Sequence, residues 1–299
     1  MFRDEHWPRA AEWIESDGRG GGLGILGAPL RLGSLTPGRC DLAPHAVRKA
    51  LLRFSTYDFT ADMDLRFLAV RDYGDLPLGE HTPEEAFVPL RDAAARALAE
   101  CRALLLLGGD NAVTRPGVHA VGRVELAGLL TIDAHLDLRS LEGGLTNGNP
   151  VRALLADGLP GVNVVQIGIQ SFANSGEYAR VAQQEGITVV TAGEAHRNGL
   201  AQAVQFGLSR LTDLDAIYVN LDLDVMDRIH APGSPGSRPG GFTPWEVRQA
   251  ARLCGRHPKV RALDLVELDP TTDVAEATTL AAAACALEFA AGLAERLRA

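Results

Sequence analysis

Lysine is nearly missing from this 299-residue chain. Lys49 and Lys259 are the only two, and arginine supplies the rest of the positive charge. No G-x-x-x-x-G-K-[ST] stretch exists, which excludes a Walker-type phosphate loop. Imine chemistry would fall on one of two lysines in unsuggestive contexts. The arginine bias itself reads as base composition of the source. Cysteine is scarce as well. Cys40, Cys101, Cys254 and Cys285 are far apart, form no C-x-x-C pair and have no histidine beside them, so buried free thiols are expected.

Positive charge is in deficit, with 38 acids against 29 bases and a formal net charge of −9. An acidic chain of this kind is a poor match for a nucleic-acid partner. The longest unbroken apolar run, Leu280 to Leu287, is far short of a membrane span. The opening stretch Met1-Phe2-Arg3-Asp4-Glu5-His6-Trp7-Pro8 has neither the apolar segment nor the small-residue cleavage site of a signal peptide, and a cytoplasmic enzyme is expected. No G-x-S-x-G elbow occurs among the serines. Gly22-Leu23-Gly24-Ile25-Leu26-Gly27 satisfies G-x-G-x-x-G, but its apolar residues lie inside the motif and Pro29 follows, so dinucleotide binding is rejected.

What remains is a chain with 46% hydrophobic and 22% charged residues, an ordinary globular balance that excludes disorder. Short apolar runs read as buried strands: 23–26, 67–70, 103–107, 126–132, 162–169, 187–190, 216–223 and 260–266. Helix-like stretches lie between them at 83–102, 149–156, 177–185, 200–211 and 244–255, and an alanine-rich helix at 273–298 closes the chain. Thr82-Pro83 and Thr243-Pro244 suit a threonine N-cap with proline in the first turn. Strands alternating with helices predict an α/β fold with a mainly parallel sheet in a single domain, 1–299. Ligands of such sheets bind at the carboxyl ends of the strands.

Polar residues gather at those ends. One cluster is Gly108-Gly109-Asp110-Asn111. A second is Asp133-Ala134-His135-Leu136-Asp137, and a third is Asp222-Leu223-Asp224-Val225-Met226-Asp227. In extended chain, residues i, i+2 and i+4 share a side, so Asp133, His135 and Asp137 are expected to converge, as are Asp222 and Asp224. For any one aspartate, a turn or helix cap is the better reading. Five ligand-type residues in two clusters are another matter, because packed like charges repel unless a cation neutralises them. Two carboxylates and an imidazole suit Mn, Fe, Zn or Ni, and the hard oxygens favour Mn. Among the other histidines, His230 draws attention because it follows Asp227.

These motifs together resemble the ureohydrolase (arginase–agmatinase) superfamily. Gly27-Ala28-Pro29, Asp72-Tyr73-Gly74-Asp75, Asn147-Gly148-Asn149-Pro150, Ala231-Pro232-Gly233, Pro239-Gly240-Gly241 and Asp264-Leu265-Val266-Glu267 extend the likeness from Leu23 to the end, leaving 1–22 as an N-terminal extension. Within the superfamily, Asp137-Leu138-Arg139 and the stretch Gln166 to Asn174 look most like the formimidoylglutamase branch of histidine degradation. The resemblance implies a three-layer α/β/α domain, a binuclear manganese site, and hydrolysis of the formimino C–N bond of N-formimidoyl-L-glutamate to glutamate and formamide. It further implies a homo-oligomer, trimer or hexamer.

Carried over by position, Asp133 and Asp222 would bridge two metals. Asp137 would complete one shell and relay a proton, while His135 and Asp224 would bind the other ion. Glu267 would pair with the cationic amidine. Asn147 and Asn149 would contact substrate. Arg139 is the first choice for a substrate carboxylate, with Arg152 and Arg238 behind it, because arginine binds carboxylate bidentately. Two positions depart from the family, which usually has histidine at Asn111 and often at Asn147. Amide oxygen is a poorer ligand than imidazole. The resemblance therefore implies unequal sites: a tight ion on Asp133, His135, Asp222 and Asp224, and a weaker or empty position near Asn111. The rivals are another guanidino hydrolase, of agmatinase or guanidinobutyrase type, and a family member with an impaired site.

Overall fold

A computed structural model describes residue 4 and residues 6–298. In chain order the main elements are α1 (Ala10–Asp17), β1 (Leu23–Ala28), α2 (Ala43–Ala50), β2 (Tyr57–Asp58), β3 (Met63–Asp64), β4 (Val70–Asp75), α3 (Pro83–Glu100), β5 (Ala103–Gly108), α4 (Thr114–Ala120), β6 (Ala127–Ile132), α5 (Pro150–Ala156) and β7 (Val164–Ile169). They continue as α6 (Gly176–Glu185), β8 (Thr188–Thr191), α7 (Ala192–Asn198), α8 (Leu200–Arg210), β9 (Ala216–Asp222), α9 (Pro244–Arg256), β10 (Val260–Val266) and α10 (Ala277–Arg298).

Eight strands form one sheet in the order β4-β1-β5-β10-β9-β6-β7-β8, every pair parallel. Strand residues alternate between its faces. Leu105, Leu107, Ile217, Val219, Leu263 and Leu265 join the apolar layer of α1, α2 and α7–α10. Leu104, Leu106, Leu129, Tyr218 and Ala262 join the layer of α3–α6. The expected three-layer α/β/α architecture is therefore present. Strands covered on both faces lose alternation, which is why they read as continuous apolar runs.

The caps form as expected. Thr82 and Thr243 each accept a hydrogen bond from the residue three ahead, Glu85 and Glu246, whose side chains answer back to the cap. The four cysteines are buried and free. Helix α10 has the length and hydropathy to cross a bilayer, but 83% of its apolar window is buried within the fold.

One strand is displaced from its expected place. The apolar run 67–70 gives way to a strand at Val70–Asp75, whose residues are largely polar. It is an edge strand paired only with β1, and edges need no apolar run. The 1–22 stretch contains α1, whose Trp13 and Ile14 enter the core.

Candidate metal centre

The carboxyl ends of β10, β9, β6 and β7, four adjacent strands of the sheet, open onto one cavity of about 420 Å³. Asp133 follows the last residue of β6. The chain does not continue extended there. Asp133 Oδ1 accepts the His135 backbone N–H at 2.6 Å, an Asx turn that rolls the segment over the strand end. Asn174 clamps it, with Oδ1 accepting from Leu136 N at 2.8 Å and Nδ2 donating to Ala134 O at 3.0 Å. Asp137 then adopts a left-handed backbone, φ +53°. The expected convergence of Asp133, His135 and Asp137 is thus reached through a turn.

Asp222 ends β9, and its Oδ1 accepts the backbone N–H of Asp224 at 2.8 Å. Asp224 joins the two clusters: Oδ1 accepts from Ala134 N at 3.2 Å, and Oδ2 lies 2.8 Å from His135 Nδ1. His135 Nδ1 is also 3.5 Å from Asp133 Oδ1. Asp133, His135 and Asp224 bring ligand atoms within 4.8 Å of one another. Asp137, Asp222 and Glu267 line the same cavity.

Burial, with the charge of neighbouring carboxylates, pushes Asp133 up to about 6 and Asp137 and Asp222 well above the usual carboxylate range. Burial opposes the charging of His135, but Asp224 and Asp133 outweigh it and raise the ring to about 11. Among the described residues Asp133 Oδ2 is buried without a hydrogen-bond partner. Crowded buried carboxylates, one orphaned oxygen and one imidazole are the donor set of a hard-to-borderline divalent ion. These residues fit a metal.

Glu267 follows β10 with φ +63°, a second left-handed non-glycine residue at the site. Such backbones cost about 1–3 kcal/mol each and persist where surrounding contacts over-determine them. Here Glu267 Oε1 accepts from Asn111 N at 2.7 Å and Asn147 Nδ2 at 3.0 Å. Burial and the charge of Asp110 push Glu267 up to about 8. Asn147 Oδ1 in turn accepts from Leu35 N at 3.0 Å, fixing the wall beside Leu35 and Thr36.

The remaining sequence candidates separate. Arg139 lines the cavity, has no ion-pair partner among the described residues, and packs on Gly148, where a Cβ would sit 2.6 Å from the arginine Cδ. Arg238 lines it too, with Nη1 2.7 Å from His135 Nε2. Arg152 does not line it. Asn149 is turned away: Nδ2 donates to Ser140 O and Gly144 O, and Oδ1 accepts from Thr146 N, so it braces the 140–149 loop. Asp227 braces another loop by accepting from Ile229 N and Gly240 N, and His230 does not line the cavity. Asn111 is beside the site, but its Nδ2 faces Asp137 Oδ2 at 2.5 Å while its Oδ1 faces Asn220 and Thr114. Ser175 and Tyr178 line the cavity and escaped the sequence reading. The strand-end rule points to them, since they open the helix after β7.

The arginase family pattern matches residues 22–292. A formimidoylglutamase of Halalkalibacterium halodurans is 36% identical over 97% of this chain and 94% of its own. The solved structure of formimidoylglutamase from Bacillus subtilis superposes with a TM-score of 0.92 at 28% identity, covering 98% of this chain and 94% of that one. A Trypanosoma cruzi formiminoglutamase solved with Mn2+ shares the fold, with a TM-score of 0.87 at 23% identity over 97% of this chain and 99% of that one. The chain belongs to the arginase family.

Proposed function

We propose that the chain is a manganese-dependent formimidoylglutamase, hydrolysing N-formimidoyl-L-glutamate to glutamate and formamide. The observation that carries the reading is the pairing of a carboxylate-rich metal pocket with a cation in its wall, Arg139, that has no ion-pair partner among the described residues. Relatives named for this activity support it.

Asp133, His135, Asp222 and Asp224 would hold one ion, and Asp137, together with Asp133 and Asp222, would help to hold a second. When bound, manganese supplies the Lewis acidity that brings hydroxide within reach near neutral pH. Glu267, held by Asn111 N and Asn147 Nδ2 through one oxygen, presents the other to the cationic amidine and keeps it protonated and electrophilic. Asp137 accepts the proton released in the attack and returns it to the departing glutamate nitrogen. The formimino C–N bond breaks, water supplies the oxygen of formamide, and glutamate leaves as its amine. Arg139 holds a substrate carboxylate in the cavity wall, and Arg238 is placed to assist.

A panel of formimidoylglutamate, agmatine and 4-guanidinobutyrate tests this assignment. Formamide release from the first, with negligible urea from the others, is the expected result. Faster urea release from a guanidino compound would overturn it.

A further inference from the structure

Two buried polar residues on the central strands take no part in the chemistry above. Asn220 on β9 is 1% exposed, and Asp264 on β10 is 0% exposed. They are register partners. Thr131 on β6 is the next partner of Asn220, and Gln166 on β7 is the partner of Thr131. A polar row thus crosses the sheet one side-chain step below Asp222 and Asp133, on the face covered by α3–α6.

We propose that Asn220 and Asp264 are positioning residues for the metal centre: together they fix which end of the Asn111 amide faces the cavity. The logic is one of donors and acceptors. The carboxylate of Asp264 takes hydrogen bonds from Tyr218 Oη at 2.7 Å, Thr114 Oγ1 at 2.8 Å, Leu221 N at 3.2 Å and Asn220 Nδ2 at 2.9 Å. Carboxylate oxygen accepts, so the end of Asn220 facing it must be the NH2 group. That same NH2 lies 2.9 Å from the inner end of Asn111, which must therefore be the amide oxygen. The outer end of Asn111 is then its NH2, which donates to Asp137 Oδ2. Asp264 thereby sets the polarity of Asn111 through Asn220, and Thr114 Oγ1, 2.8 Å from both the Asp264 carboxylate and the Asn111 oxygen, stands beside that link.

Two features argue against a packing role. Among the described residues Asn220 Oδ1 is buried without a hydrogen-bond partner, a penalty that a leucine of the same branched shape would not carry. Gly117 of α4 lies against Tyr218, where any Cβ would overlap the ring, so the helix packs close enough for Thr114 at its start to reach Asp264 beside the Tyr218 hydroxyl. The functional consequence is specific. Asn111 offers no oxygen to an ion. It holds Asp137 by an N–H and leaves the second metal position short of a ligand.

This inference rests on the metal-centre reading but not on the identity of the substrate, so its test is metal binding. Manganese titration by calorimetry on metal-stripped protein would compare the native chain, Asn220→Leu, Asn111→Leu and the double variant. In Asn220→Leu the inner N–H donor is lost, Thr114 Oγ1 with its one proton given to Asp264 offers only a lone pair, and the amide of Asn111 can turn its oxygen outward. The second Mn2+ should bind at least ~5-fold tighter, with the first ion unchanged within about 2-fold. In the Asn111→Leu background the Asn220 substitution should change neither ion, because its effect passes through Asn111. Equal shifts in both backgrounds, or none in either, would overturn the proposal. Native protein that takes up no Mn2+ would overturn both this and the metal-centre reading, whereas a failed substrate panel would leave it standing. Should Asn220→Leu fail to fold, Asp264→Asn keeps the volume, removes the obligate acceptor and is held to the same non-additivity.

Discussion

The imidazole Nδ1 of His135 lies 2.8 Å from Oδ2 of Asp224. The two residues stand at the ends of neighbouring strands, β6 and β9, and neither cluster alone makes a cation site. Asp224 closes it twice, once through the ring and once through Ala134 N. That double contact is the basis of the first prediction.

Asp224→Asn removes a charged ligand and leaves an amide of the same shape. Manganese at about 100 times its Kd should stabilise native protein by about 2.7 kcal/mol. The variant should show a small fraction of that gain in a melt with and without Mn2+. An undiminished shift would mean that the ion sits elsewhere.

Arg139→Ala should raise KM for formimidoylglutamate roughly 10- to 100-fold, the worth of a charge-assisted hydrogen bond of about 1.5–3 kcal/mol. Manganese stoichiometry should stay unchanged, since among the described residues no hydrogen bond or ion pair joins the Arg139 side chain to a ligand residue. An unaltered KM would assign the carboxylate contact to Arg238 or another group.

Asp157, at the end of α5, gives a pH prediction away from the site. It accepts from Arg115 Nε and Nη2, both at 2.7 Å, and lies 2.9 Å from His119 Nε2. Burial opposes its ionisation, but these partners prevail and hold it down to about 2. A carboxyl depressed on folding adds stability above its unfolded value, near 4, and loses it as pH falls toward the folded one. Asp157→Asn should therefore cost roughly 1–2 kcal/mol at pH 7. About half of that deficit should be gone by pH 3 in urea titrations. A pH-independent deficit would assign the effect to packing.

The sheet was legible because its strands are buried on both faces and therefore read as apolar runs. The centre was legible because strand ends collect ligands. What escaped has identifiable causes. Helix α4 contains Pro116 and Gly117, which conceal it, though proline is tolerated in a first turn. The edge strand β4 is polar. The spacing of Asp133, His135 and Asp137 suggested extended chain, whereas an Asx turn produces their convergence. Asn149 and Arg152 lie beside Asn147 in sequence, yet Asn149 turns inward to brace its loop. The orientation of Asn111 depends on Asn220 and Asp264 from other strands, which no local pattern reveals.

The central claim is that this pocket hydrolyses formimidoylglutamate with a bound divalent ion. Its most direct test is formamide release by purified protein before chelation, after chelation and after Mn2+ is returned. Activity should be present at first, fall to background on metal removal, and recover with Mn2+. Formamide release that survives complete chelation, or none from manganese-loaded native protein, would contradict the account.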